Sequence, residues 1–407
     1  MNSPQSAPVR RGVARWSVFS YGFRPFFLGC GVFGAIAIPA WLALHATQQT
    51  PWPGIPAQLW HAHEMLFGFA AAAIAGFLLT AVPSWTGIRG FAGAPLVAVW
   101  SLWCTARVLL AFAPHWAWPL SSLVELAFLP ALAALIAPPI IRERNRNMAM
   151  LGVLAALWVA DAVFLFAIGR QDVVGASRAL LVTLDVVLLL VTIIGGRIVP
   201  SFTANALRRS GRSVELRRHE FVERLLPLTM IGNALADALV PGSGLVAAIA
   251  SIAAILHLVR QSGWRSLDTR GEPILWVLHL AYAWLPIAFA LKAGAAMAQL
   301  LGADFALGQF WQHAFGIGAV ATMILAVMTR ASLGHTGRPL QVAPAIAIAY
   351  ALLALAGVAR VVLPQLGVLD YDASLLVAGA LWSSAFAIFA VHYAPILMGP
   401  RLDGKPG

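Results

Sequence analysis

The segment Trp60–Met65, with the sequence WHAHEM, places two histidines and a glutamate at the start of a long apolar run. A neutral imidazole is a ligand for iron, copper and zinc, and a carboxylate beside it can orient the ring or relay protons. Residues two apart on a helix point about 200° from each other. Either the helix begins between His61 and His63, or the two side chains have different roles. Both are candidate metal ligands, and Glu64 is a candidate supporting group or proton relay.

The remaining histidines of the apolar runs fall at two depths. With a rise of about 1.5 Å per residue, His313 starts its run at the same membrane face as His61 and His63, so we expect it to complete a metal site with this segment. A second set lies near the opposite face: His257, His279 and His392.

Histidines that converge at one depth from different helices are how helical bundles hold haem and copper. We therefore predict cofactor binding by His257, His279 and His392, with Arg197 as a partner either for a carboxylate in the spans or for a haem propionate. For each histidine alone the alternative is a hydrogen bond to a backbone carbonyl or a neighbouring side chain that helps helices to pack. No catalytic residue can be assigned from the sequence.

The composition identifies the elements that position these residues. The chain has 407 residues, of which 60% are hydrophobic and 11% are charged, and its mean hydropathy is +0.81. Such values exclude an ordinary soluble domain and predict an all-α integral membrane protein, because a bilayer core about 30 Å thick needs roughly 20 apolar residues of helix per crossing. About twelve spans are expected, at Phe23–Leu44, Leu59–Val82, Ala94–Ala113, Leu120–Ile141, Met148–Ile168, Ala176–Val199, Leu225–Val240, Gly244–Val259, Ile274–Leu301, Gly308–Met328, Val342–Leu363 and Ala373–Leu397.

Arginines gather in alternate loops, which predicts that those loops and both termini are cytoplasmic. The expected organisation is a cytoplasmic N-terminal segment (1–22), a transmembrane domain (23–397) and a cytoplasmic tail (398–407). The histidine layer that contains His61 then faces outward. The net charge of +11 follows from this topology, so nucleic acid is not an expected partner.

Other polar groups in the spans bear on the chemistry. The two cysteines, Cys30 and Cys104, each lie inside a span, which argues against a structural disulfide, an iron–sulfur cluster or a cysteine-rich zinc site. A carboxylate in a span is paired, protonated or part of a proton or ion route. The carboxylates inside the spans are Glu125, Asp161, Asp185 and Asp237, and the amide Asn233 also lies inside a span.

The run that begins near Phe310 repeats part of the pattern of the opening segment. His63 and His313 are each followed five residues later by a glycine, and both runs end in Thr-Gly at the same offset. This pattern suggests that His63 and His313 occupy comparable positions on two helices.

Four motifs resemble the NnrS family of bacterial membrane proteins, and the resemblance extends over nearly the whole chain. They are FSYGFRPFFLGCGVFG (19–34), WHAHEMLFGFAAAAIAGFLLTAVPSWTG (60–87), GGRIVPSFTANAL (195–207) and HAFGIGAVATMILAVMTRASLGHTGR (313–338). The resemblance implies a haem- and copper-containing multispan protein of the bacterial cytoplasmic membrane, associated with denitrification, nitric oxide and nitrosative stress. It does not decide whether the protein turns over nitric oxide, and the oligomeric state stays open.

Two function classes follow. In the first, metals held by the intramembrane histidines bind or convert nitric oxide. In the second, the protein is a secondary transporter that couples protons to the movement of a small solute or metal through its histidines and carboxylates. The resemblance favours the first.

Overall fold

The computed structural model describes residues 17–145, 147–212, 215–303 and 310–404. Most of the predicted N-terminal segment (1–22), the last residues of the predicted tail (398–407) and the predicted span start at Gly308 lie outside them. The described residues form twelve long helices and a few short 3₁₀ turns. The helices are α1 (Phe23–Ala46), α2 (Ala57–Thr86), α3 (Ala94–Phe112), α4 (Trp118–Arg142), α5 (Ala149–Gly169), α6 (Val173–Arg209), α7 (Glu220–Leu239), α8 (Gly244–Ser262), α9 (Pro273–Leu300), α10 (Trp311–His335), α11 (Pro344–Val361) and α12 (Tyr371–Met398).

Each of the twelve predicted spans corresponds to one helix, so the predicted all-α fold is confirmed. Eleven of the helices are long and apolar enough to cross a membrane, and the chain is a multi-pass membrane protein. The remaining helix, α7, has glutamates in its first turn, and it packs between α6 and α8.

The first and last long helices of the bundle, α1 and α12, pack along each other. The buried Arg24 guanidinium, at the start of α1, donates to the backbone oxygens of Leu397 at 2.9 Å and Gly399 at 2.6 Å, at the end of α12. The first and last long helices therefore begin and end at the same face of the bundle.

Three helices form the centre of the bundle. The most apolar stretches of α2, α6 and α10 are 78%, 78% and 72% buried, whereas those of α1, α3 and α4 are 39%, 33% and 33% buried. In α2 the residues Ala70–Ala75 are all buried, and all of them except Ile74 are alanines, whose short side chains let neighbouring helices approach closely. The predicted site histidines His61, His63 and His313 are therefore on the two central helices α2 and α10.

Both of these helices contain a π-helical segment, over Glu64–Ala70 in α2 and Ala314–Ala321 in α10. A π turn inserts an extra residue into the helix and is frequent at functional sites. The last α-helical residues before the two segments are His63 and His313.

The predicted correspondence between these two helices extends to their neighbours. The same 250-residue offset that relates His63 to His313 relates the first residues of α1 and α9, Phe23 and Pro273. It also relates the helix-ending glycines Gly87 and Gly337, whose φ angles are 71° and 72°. The first four helices and the last four are thus similarly spaced units, and α5–α8 lie between them in the chain.

Candidate functional site

A cavity of about 530 Å³ lies where α2 and α10 meet, and both His61 and His313 line it. We call it the His61–His313 cavity. Its walls come from α1, α2, α6, α10, α11 and α12, so it lies between the first and the last four helices. Apolar and aromatic side chains form most of the lining, and the exposed Gln58 and Gln312 mark its open end.

Each of the two histidines of this cavity has a ring nitrogen that is available to a ligand. The Nδ1 atoms of His61 and His313 are buried and have no hydrogen-bond partner among the residues that the structure describes. The His61 ring stacks on Trp41, with the ring centroids 4.4 Å apart, which fixes its plane. An imidazole nitrogen without a hydrogen bond inside a protein is a ready ligand for a metal.

Among the described residues that line the His61–His313 cavity, Arg360 is the one charged side chain. It is buried, and it donates to the Ser374 hydroxyl at 3.0 Å. Its guanidinium also lies over the rings of Phe310 and Tyr371, at 4.8 and 4.7 Å. None of the described residues that line the cavity is a carboxylate, so within this part of the chain Arg360 gives the space a positive charge that favours an anionic group.

His63 faces the opposite side of α2, as the spacing predicts. Its Nε2 lies 3.2 Å from Asp161 Oδ1 and its Nδ1 lies 3.1 Å from Glu64 Oε1. The ring also stacks on Phe164, at 4.8 Å. His63 therefore belongs to a buried charged cluster and not to the His61–His313 cavity.

Glu64 belongs to the same charged cluster and supports His63, not His61. Besides His63 it accepts from Arg107 Nη1 at 2.8 and 2.9 Å, and Arg107 also donates to Glu125. The cluster thus joins α2, α3, α4 and α5 through five side chains. His63, Glu125 and Asp161 each offer one ligand atom, and these three atoms lie within 4.8 Å of one another. This spacing fits a metal ion.

The histidines predicted near the opposite face do not point at a common centre. His257 Nδ1 lies 2.9 Å from the Tyr282 hydroxyl, and its Nε2 is buried without a partner. His279 uses both nitrogens, with Thr203 at 2.8 Å and Ser266 at 2.9 Å. His392 is exposed on α12.

Arg197 lies on the exposed side of α6, where Nη1 donates to Asn147 Oδ1 at 2.6 Å. This contact joins the C-terminal half of α6 to the residues just before α5. The four residues predicted to bind a cofactor at this face therefore contact four different sets of neighbours.

Three cations inside or at the ends of spans were not recognised from the sequence: Arg107, Lys292 and Arg360. All three are buried. A lone Lys or Arg in an apolar run is the signal that identifies such residues, because a charge at the bilayer centre costs at least about 2.5–3.5 kcal/mol on insertion scales. It predicts a buried acidic partner for Arg107 and Lys292, and the structure contains one for each.

Comparison with known proteins agrees with the motifs. No curated protein matches the chain at a significant level. The family model described as NnrS protein matches residues 17–401, which is nearly the whole chain. The matched region contains every helix of the bundle, both π-helical segments and both walls of the His61–His313 cavity, and the chain therefore belongs to the NnrS family.

Proposed function

We propose that this protein is a haem- and copper-containing membrane protein of nitric oxide metabolism or of resistance to nitrosative stress. In this proposal the haem is bound in the His61–His313 cavity. The observation that carries the proposal is the pair of imidazoles, from two central helices, that line one cavity with unpartnered nitrogens.

The residues present fit a haem in five respects. Imidazole is a common axial ligand of haem iron. The mostly apolar lining suits the porphyrin, and Arg360 is available for a propionate. A Cβ added at Gly316 would have no atom within 4 Å, so this glycine leaves open space on the cavity wall. The cavity volume lies in the range of ligand and cofactor sites, about 300–1,000 Å³.

A copper ion fits the second group of donors, which comprises His63, Asp161 and Glu125. Imidazole suits copper, and two carboxylates balance its charge. Glu64 would orient His63 through Nδ1, and Arg107 would hold Glu64 and Glu125 in place. The two sites would then lie on opposite sides of α2, one for each of the two histidines.

When bound, haem supplies an iron that takes diatomic ligands such as nitric oxide. The chain's own residues supply the surroundings. Trp41 holds the plane of His61, and the apolar lining keeps the buried part of the cavity poor in water. Whether the protein binds or converts nitric oxide depends on an electron donor, and we leave the enzyme class open.

A route for a small neutral gas adjoins this site. A second cavity of about 70 Å³ is lined entirely by apolar side chains and Gly195, and it shares Val320 with the His61–His313 cavity. Apolar cavities of this kind stay dry and admit small uncharged molecules. We propose that nitric oxide, which partitions into lipid, reaches the site this way.

We also propose that the protein resides in the bacterial cytoplasmic membrane with both termini in the cytoplasm. The clustering of arginines in alternate loops supports this orientation.

The second candidate function is proton-coupled transport of a small solute or metal. It is favoured by a buried cluster of Asp185, Asp237 and Lys292 beside another cavity, because charged groups inside a membrane protein commonly serve ion or proton routes.

The visible absorption spectrum of the protein, purified in detergent from cells supplied with haem, separates the two functions. We expect a Soret band with stoichiometric iron, a shift of that band when nitric oxide is added, and bound copper by metal analysis. A protein that folds and elutes as a single species but lacks both iron and the Soret band would exclude the haem proposal and leave the transporter.

A further inference from the structure

A buried cluster apart from both proposed metal sites joins α6, α7 and α9. Lys292 Nζ, on α9, contacts Asp237 Oδ2 and lies 3.5 Å from Asp185 Oδ1. Asn233 Nδ2 donates to Asp185 Oδ1 at 2.7 Å and lies 3.4 Å from Asp237 Oδ2. The same two nitrogens thus hold one oxygen of each carboxylate, so the two acids are immediate neighbours.

The charges of this cluster do not balance. All four side chains are at most 2% exposed, and they provide two carboxylates for one ammonium. Two carboxylates that share a buried site cannot both stay ionised without a large electrostatic cost. Two buried acceptor oxygens, Asp185 Oδ2 and Asn233 Oδ1, also lack a hydrogen-bond donor. Among the described residues, the cluster therefore has one positive charge too few for its two carboxylates, and two of its acceptor oxygens receive no hydrogen bond.

A path connects the cluster to the end of the bundle. A cavity of about 440 Å³ is lined by Asp237 and Lys292 at its buried end and by Gln299 and the exposed Ala303 near the α9–α10 connection. The described parts of α8 and α10 contribute the uncharged residues Val246 and Trp311 to this cavity. Within residues 17–303 and 310–404, apart from the gaps in the description, the charged groups that face the site are thus Asp185, Asp237 and Lys292.

We infer that the Asp185–Asp237 pair is a proton-binding site that takes up one proton from the aqueous end of this cavity. The proton leaves a hydronium ion or a buffer acid and forms an O–H bond with a carboxylate oxygen, with no change of oxidation state. The bound proton makes the cluster neutral with Lys292 charged. The site adjoins the His61–His313 cavity, because Leu181 lines both cavities, but the inference does not depend on haem.

Infrared difference spectra between acidic and alkaline pH test this assignment, because a protonated carboxyl group has its own C=O stretching band. The acidic sample is kept well above pH 4, about the ordinary pKa of exposed Asp and Glu, so that those groups stay ionised in both samples. The wild-type protein should show such a band, with a shift in deuterium oxide. Asp185→Asn and Asp237→Asn should each lose it, because one carboxylate and Lys292 then balance. Lys292→Met should keep or strengthen the band, because two acids then lack their cation.

Asp172→Asn is the matched control, since Asp172 is an exposed carboxylate that caps the same helix as Asp185. It should leave the band unchanged. Absence of a protonated carboxyl band in the wild type would overturn the inference, even if a variant fails to fold. So would survival of the band in both aspartate variants, or a band that appears in potassium buffer and disappears in sodium buffer, which would assign the site to a metal cation.

Discussion

His61 and His63 are separated by a single residue but serve two different environments. His61 stacks on Trp41 and faces a cavity, whereas His63 is held by two carboxylates in a buried charged cluster. Helical geometry alone predicts this division, because the two side chains leave the helix in nearly opposite directions. The identity of each partner could not be predicted, since it depends on which helices surround α2.

Arg107 provides the sharpest prediction at this scale, because it is the one Arg or Lys among the described residues that contacts Glu64 and Glu125. Arg107→Met would leave Glu64 and Glu125 buried without it. Breaking a buried pair by removing one partner costs about 3–5 kcal/mol, and we expect a loss of this size in the free energy of unfolding, measured by titration with a denaturing detergent in mixed micelles.

The control for this prediction is Arg224→Gln, which removes an exposed i,i+4 pair with Glu220 and should cost at most about 1 kcal/mol. The double variant Arg107→Met with Glu125→Gln should recover part of the loss, since it removes one uncompensated charge. Equal stability of Arg107→Met and Arg224→Gln would contradict the assigned role of the cluster.

At the scale of the helix, the π-helical segments of α2 and α10 each contain a glycine that packs closely against a neighbouring helix. Gly68 and Gly318 lie at the same offset after His63 and His313 and permit close contacts. A Cβ at Gly68 would lie 2.5 Å from Phe33, and a Cβ at Gly318 would lie 2.3 Å from Trp284. The sequence shows the repeated spacing, but the π turns themselves have no local signal in it.

The π segment of α10 carries a matched pair of glycines that tests this packing. Gly318→Ala should destabilise the protein by about 1–3 kcal/mol, because the new methyl group overpacks a close helix contact. Gly316→Ala, two residues earlier on the same segment, meets no atom within 4 Å and should be close to neutral. Thermal unfolding in one detergent compares the two, and a Gly316 variant as unstable as the Gly318 variant would refute the packing explanation.

Hydropathy predicts the twelve helices well, because each crossing must supply its own apolar residues and must satisfy its backbone internally. The helix ends could be placed only to within a few residues. For α6, the span was expected to end at Val199, but the helix continues to Arg209. A helix can extend beyond the lipid into water, so hydropathy does not mark its true end.

At the scale of the whole molecule, the His61–His313 cavity depends on the arrangement of two similarly spaced units. His61 comes from the first four helices and His313 from the last four, and α6 closes one wall. The sequence suggested that these histidines share a site because they start their helices at one face. It also suggested a second layer of His257, His279 and His392, which the bundle distributes among separate neighbours. Depth in the membrane can be read from sequence, but position around the bundle cannot.

The cavity itself can be tested by filling it. Gly316→Phe should place a ring in the open space of the His61–His313 cavity and sharply reduce haem content, measured as haem per protein. Gly152→Phe is the control, because Gly152 is exposed on α5 and also has no atom within 4 Å of an added Cβ. It should retain the wild-type haem content. Full haem occupancy in the Gly316 variant would mean that the haem lies elsewhere.

The central claim is that His61 and His313 hold the haem. The most direct measurement is the visible spectrum and iron content of His61→Ala and His313→Ala beside His392→Ala, with all three purified as monodisperse species. We predict that the Soret band is lost or shifted with a loss of iron in the first two variants, and that it is unchanged in His392→Ala. A wild-type spectrum in both cavity variants, or loss of the band only in His392→Ala, would contradict the account.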